Sequence, residues 1–316
     1  MLLKHLIELY ELLDSPHASG AIVANYLKAI DPECTVETYP LEGPKGITDM
    51  VRVRIPGAHG KSNGGDAPTI GLLGRLGGLG ARPERIGFVS DGDGALTALA
   101  CAAKLLDMHK KGDVLPGDVF VSTHVCPHAP TKPVPFMGSP TSTAAINAEE
   151  VTPELDAILV VYTTKGNRIA NNRGFAISPT VKQGVVMRVS EDLLGIAEIA
   201  TGKLPQVFAI STLDITPYGN GLYHLNSIMQ PCTCTDAPVV GVAITTQTAV
   251  PGCATGATRL PDLDEAGTFM IEAAKAFTAG DASFYDPAEY DLFVKRYGSM
   301  AHLQTMGNLP AENPMA

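Results

Sequence analysis

The chain has 316 residues, 45% of them hydrophobic and 18% charged, and a formal net charge of −10. That length allows one large domain or two small ones, and the acidic balance argues against a nucleic-acid surface, which needs clustered Lys and Arg. No apolar run is long enough to span a bilayer, and the six cysteines form no dense framework, so they read as reduced and the protein as cytoplasmic.

The opening Met1-Leu2-Leu3-Lys4-His5 leads into an amphipathic helix, not a signal peptide. Asp14-Ser15-Pro16 stops that helix, because the residue before proline avoids helical angles. Ser19-Gly20 opens a second one to Ile30. Thr35–Tyr39 and Met50–Ile55 read as strands of a hairpin or edge, Pro56–Pro68 as a loop, and Thr69–Gly74 as a buried strand with a glycine-rich exit at Arg75-Leu76-Gly77-Gly78. Ile86–Val89 reads as a short strand entering the acidic turn Ser90-Asp91-Gly92-Asp93-Gly94, and the helix after it, to His109, is apolar nearly all round. Asp118–Val125 is a strand ending in His124-Val125-Cys126-Pro127-His128. The proline-rich run Pro130–Ser142 covers a surface or a cleft. Further strands are expected at Asp156–Thr163, Val185–Val189, Gln206–Ser211 and Val239–Thr245, and helices at Ser190–Thr201, Asp262–Thr278 and Tyr285–Tyr297. The tail from Met300 is polar and loosely held. Strands alternating with helices predict one α/β domain over residues 1–316, a mixed and mostly parallel sheet with helices on both faces.

Several residue groups carry possible chemistry. His124, Cys126 and His128 have strand spacing and could meet beside Asp91; imidazole and thiolate would then suit one transition-metal ion. In the other reading Pro127 splays the three apart and no metal is held. Cys126 could also be a thiolate nucleophile. Asp91 could instead only cap its helix. Arg75, Lys165, Arg168 and Arg173 lie near expected strand ends or turns and could hold a carboxylate or phosphate; for Lys165 and Arg168 a solvated surface cation is the favoured reading.

The segments LLKHLIELYELLDSPHASGAIVANYLKAI, TIGLLGRLGG, SDGDGALTALACAAKLL, and APVVGVAIT followed by LPDLDEAGTFMIEAAKAF resemble, in that order, the elements of the di-zinc aminopeptidase and deacetylase superfamily. The whole sequence resembles the uncharacterised family labelled domain of unknown function 1177. The superfamily likeness implies its fold, without its inserted domain, since Gly77 to Asp91 leaves no room for one. Its ligand pattern is mostly missing. Arg75-Leu76-Gly77 stands where His-x-Asp is expected, Cys126-Pro127 where two glutamates are expected, Val161-Tyr162 where a third acidic ligand is expected, and Cys253-Ala254-Thr255-Gly256 where the last histidine is expected. Asp91 alone matches the bridging aspartate, and one carboxylate cannot hold two zinc ions.

The expectation is therefore a rebuilt, non-di-zinc site acting on an amino-acid or peptide-derived small molecule. The alternative is a catalytically silent relative that binds a ligand or forms a homo-oligomer. Asp91, Arg75 and Cys126 are the candidate catalytic residues; Asp93, Cys253, Thr255 and Arg259 the candidate ligand-binding residues; and His124, Cys126, His128 and Asp91 the candidate metal set. These residues should converge at the edge where parallel strands end. A buried Arg75 would need a carboxylate there, Asp91 or Asp93, and would replace the lost zinc charge.

Overall fold

The computed structural model describes residues 1–75, 77–79, 87–130, 138–211, 222–247 and 256–305. Two helices come first, α1 (Leu2–Leu13) and α2 (Gly20–Ile30). Ser19 caps α2 by accepting the Ile22 N–H at 3.3 Å, and α1 buries Leu2, Leu6, Leu9 and Leu13, a single stripe at helical spacing. The hairpin β1 (Thr35–Gly43) and β2 (Gly46–Ile55) follows. Then come β3 (Ile70–Arg75), α3 (Asp93–Lys110), β4 (Val119–Val125), α4 (Thr143–Glu150) and β5 (Ala157–Thr163). The chain continues through β6 (Gly174–Ile177), β7 (Val181–Lys182), β8 (Val185–Val186), α5 (Glu191–Thr201), β9 (Val239–Thr245), α6 (Leu260–Ala279) and α7 (Pro287–Tyr297).

Among the described residues nine strands join one sheet in the order β1-β2-β4-β3-β5-β9-β7-β8, with β6 also paired to β9. The centre, β4-β3-β5-β9, is parallel; the β1–β2 hairpin and β6, β7 and β8 flank it in antiparallel pairing. The four central strands are buried at every residue, as parallel strands covered on both faces must be. Alternation sends Ile70 and Leu72 into the larger core, under α1, α3 and α6, and Leu73 into a second core with Phe120, Phe208 and Ile228. This is the expected mixed, mostly parallel α/β architecture.

Several local expectations are corrected. Within Ile86–Val89 the described residues form no strand: Gly87 turns the chain at φ +112° and the Phe88 N–H is taken by Asp14 Oδ1, so the acidic turn follows a bend. Gln206–Ser211 forms only an isolated bridge, Val207 to Ile177, and the strand at Val185–Val189 shrinks to two residues. Helix α6 starts at Leu260, two residues early, because Pro261 fits the first turn, where an N–H is dispensable. Helix α4 and strand β6 were not anticipated; Ser142 Oγ caps α4 by accepting the Ala145 N–H at 3.2 Å.

Candidate functional site

Helix α3 begins hard against the carboxyl ends of the sheet. A Cβ on Gly94 would lie 2.0 Å from Arg75 O and 2.7 Å from Val161 O, so glycine lets the helix start touch β3 and β5. That approach sets Asp93, fully buried in the first turn of α3, beside the exit of β5. There Lys165 folds back at φ +52°, a conformation most side chains avoid, with its N–H on Ile244 O at 3.0 Å. Its Nζ donates to Asp93 Oδ2 at 2.6 Å, and Thr258 Oγ1 donates to Asp93 Oδ1 at 2.6 Å. Burial pushes the Asp93 carboxyl up from its ordinary value, against the pull of Lys165. Both charged side chains are at most 1% exposed, so this is a desolvated ion pair held by a third donor. Ser90 is buried in the same turn and its N–H donates to Gly256 O at 3.0 Å.

The expected roles shift accordingly. Lys165 is not a surface cation; it is the partner of the acidic turn. Its position directly after an apolar strand was the available signal. Gly92 occupies the N-cap of α3, so no side chain caps that helix from there, and Asp91 is itself buried in the turn. Arg259 lies at the N-cap of α6 and spends Nη1 on both oxygens of Asp262, at 2.9 and 3.1 Å. Cys253 and Thr255 lie outside the described residues.

Arg75 does not pair with Asp91 or Asp93. Strand alternation turns it, like Leu73, to the face carrying α4, opposite α3. It is 0% exposed, and Nε and Nη2 both reach Glu150 Oε2 at 2.7 Å, while Nη2 also donates to Asn147 Oδ1. Burial pushes the Glu150 carboxyl up to about 7, against the pull of Arg75. The sequence reading missed Glu150 because it missed α4, which carries Asn147 and Glu150 three residues apart, on one face. Removing either partner of such a pair leaves a buried charge, at a cost of about 3–5 kcal/mol. Arg75 thus ties α4 to the sheet and does not face the acidic turn.

The His/Cys/His group does not assemble a metal site. His124 Nε2 accepts the Gly77 N–H at 3.0 Å, so Nδ1 carries the proton and donates to Thr48 Oγ1 at 2.9 Å. Thr48 Oγ1 in turn donates to Val125 O at 3.2 Å. Burial, reinforced by Arg75, pulls the imidazole down to about 3, and it stays neutral with both nitrogens occupied. The Cys126 thiol is buried and burial pushes it up to about 11, which disfavours a free thiolate nucleophile, and its Sγ turns to Ile47 O at 3.6 Å. His128 lies exposed beyond Pro127. Among the described residues no group of three His, Cys, Asp or Glu could hold a metal ion. Asp93, in the same acidic turn as Asp91, is spent on Lys165 and Thr258. The donor set proposed from the sequence therefore does not fit a transition metal.

The arrangement of sheet and helices is that of aminopeptidases. The bottromycin maturation enzyme BotP, solved in complex with Mn, superposes with a TM-score of 0.53 at 13% identity, over 87% of this chain and 70% of that one. Cytosol aminopeptidase from Coxiella burnetii gives 0.50 at 13% identity, over 87% and 68%. A glutaminyl cyclase from an Acidobacteriales bacterium gives 0.48 at 15%, over 82% and 85%. At such identities the likeness defines the fold alone. The chain belongs to the family described as "Protein of unknown function (DUF1177)", which matches residues 40–307. No curated protein matches it in sequence.

Proposed function

We propose that this aminopeptidase-fold protein holds an amino-acid or peptide-derived small molecule at the carboxyl edge of its sheet, without di-zinc chemistry. One observation carries the reading: the Lys165 ammonium, 2.6 Å from Asp93 Oδ2, supplies internally the positive charge that a metal would bring to an acidic turn. A second cation at that position would be repelled by Lys165 and would have to displace it from Asp93. Near this edge Arg259, its side chain 42% exposed, offers a donor to a ligand carboxylate. A catalytically silent binder is the second reading. It is favoured by Cys126, a buried protonated thiol where the resembling enzymes place their general base.

Calorimetric titration of the purified protein with amino acids and unblocked dipeptides tests the reading. Saturable binding is expected, weakened about tenfold or more by Lys165→Met combined with Asp93→Asn, which removes both charges of the buried pair while sparing the fold. Product release from the same dipeptides distinguishes an enzyme from a silent binder. Zinc-dependent release of amino acids that a chelator abolishes would overturn the proposal.

A further inference from the structure

At the opposite, amino-terminal edge of the sheet lies a pocket of about 400 Å³, within the size range of small-molecule sites. Its lining includes Pro56 and the almost fully buried Phe120, over whose ring Arg52 and Arg54 both lie. Register sets Arg54 directly across from Phe120 in the β2–β4 pair, and the Arg54 guanidinium stacks over the ring at 5.1 Å. Arg54 Nη1 donates to Glu154 Oε1 at 2.5 Å, but the side chain remains 44% exposed and its other N–H groups are uncommitted. Beside it Lys61, 41% exposed, is anchored by Asp156 Oδ2 at 2.5 Å and Glu154 O at 3.1 Å. The rim thus presents two anchored cations and the Glu154 carboxylate together.

One polar group in the pocket has no protein partner. Thr69 is 3% exposed, and its backbone is fixed by Asp156 at both ends: Thr69 N–H on Oδ2 at 2.7 Å, Asp156 N–H on Thr69 O at 2.8 Å. Its hydroxyl alone is unsatisfied, although it lines the pocket. A buried hydroxyl left so is costly, and a ligand that satisfies it gains that cost back.

We infer that this pocket binds a free amino acid with an apolar side chain. A carboxylate would take the spare donors of Arg54 and Lys61, the ammonium would pair with Glu154, and the side chain would lie beside Pro56 and the edge of Phe120. A neutral apolar compound would leave the rim unused, and a simple anion would meet Glu154. The inference stands apart from the strand-end site, because none of its residues belongs to that edge.

Titration in a Lys165→Met, Asp93→Asn background, which removes both charges of the buried pair together, isolates it, with the fold checked by circular dichroism. L-Leucine and L-phenylalanine should bind there with one-to-one stoichiometry, and N-acetyl-leucine amide, which lacks both charges, should bind about tenfold more weakly or worse. Arg54→Ala should abolish binding, and the near-isosteric Thr69→Val should weaken it several-fold. A crystal soaked with L-leucine should place the amino acid beside Phe120. Silence at millimolar amino acid, equal binding of the neutral amide, or heats unchanged in both variants would each overturn the inference. Loss of amino-acid binding in the Lys165→Met, Asp93→Asn background with the fold intact would overturn it too, while leaving the strand-end proposal standing.

Discussion

His124 shows how burial converts a candidate ligand into a structural group. Its two ring nitrogens join the exit of β3 to β2, one accepting from Gly77 and the other donating to Thr48. Its folded value, about 3, lies below the ordinary 6.5, so the unfolded chain takes up the proton first as pH falls. The stability His124 contributes is present above about pH 6.5 and is lost as the pH falls towards 3. Glu150 acts in the opposite sense: its folded value of about 7 exceeds 4.5, so its contribution is lost as pH rises through that window. His124→Asn should therefore be less stable than the parent at pH 7 by a kcal/mol or so, with the gap shrinking towards pH 4. Urea midpoints measured across that range check this; a gap that stays constant would mean His124 titrates normally.

Helix α3 carries the site by where it starts. Its first turn is pressed onto Arg75 O and Val161 O through Gly94, and further along Ala98 packs on Gly74. A methyl at Gly94 would meet backbone on both strands, and backbone cannot swing aside as a side chain can. Gly94→Ala should cost about 2 kcal/mol or more and pull Asp93 away from Lys165. Gly195→Ala, in α5 with nothing within 4 Å, should instead stabilise by roughly 0.5–1 kcal/mol. Denaturant midpoints of the two variants are the measurement, and equal effects would refute the close-approach argument. The helix boundaries themselves were legible where a cap or a stripe marked them: α1 matched the expected Leu2–Leu13 span, α2 its Ser19–Gly20 start, and α5 its Ser190 cap and Gly202 stop. Helix α4 was hidden because it is short and follows a proline-rich run, whose composition reads as loop.

On the scale of the whole molecule, the sheet has two ends with different characters. The carboxyl ends carry desolvated charge, and the amino-terminal edge carries an open pocket with a charged rim. No helix among the described residues is long and apolar enough to cross a membrane. Exposed Ile199 and Leu204, on and just after α5, add an apolar surface away from both sites. We propose that the chain associates with copies of itself, since globular chains that associate most often form closed symmetric assemblies. Light scattering at micromolar concentration should give a multiple of the 33.1 kDa chain mass; a particle of one chain's mass would refute it.

What the sequence by itself determined was periodicity and its consequences: the helices that a stripe or cap marks, the strands buried on both faces, and hence a mostly parallel α/β core; the aminopeptidase likeness came from resemblance of segments. The sequence also determined an absence, since motif positions that should hold ligands hold Arg75, Cys126 and Val161 instead. Partnership was decided only by the tertiary structure. The reading that Arg75 would answer the acidic turn took position along the strand into account but not the face to which alternation turns the side chain. Glu150 and Lys165 lie 75 and 72 residues from Arg75 and Asp93, the groups they neutralise, and no local pattern marks so distant a pairing. Charges in a buried layer choose partners by three-dimensional proximity, because desolvation makes any unpaired one too costly to keep.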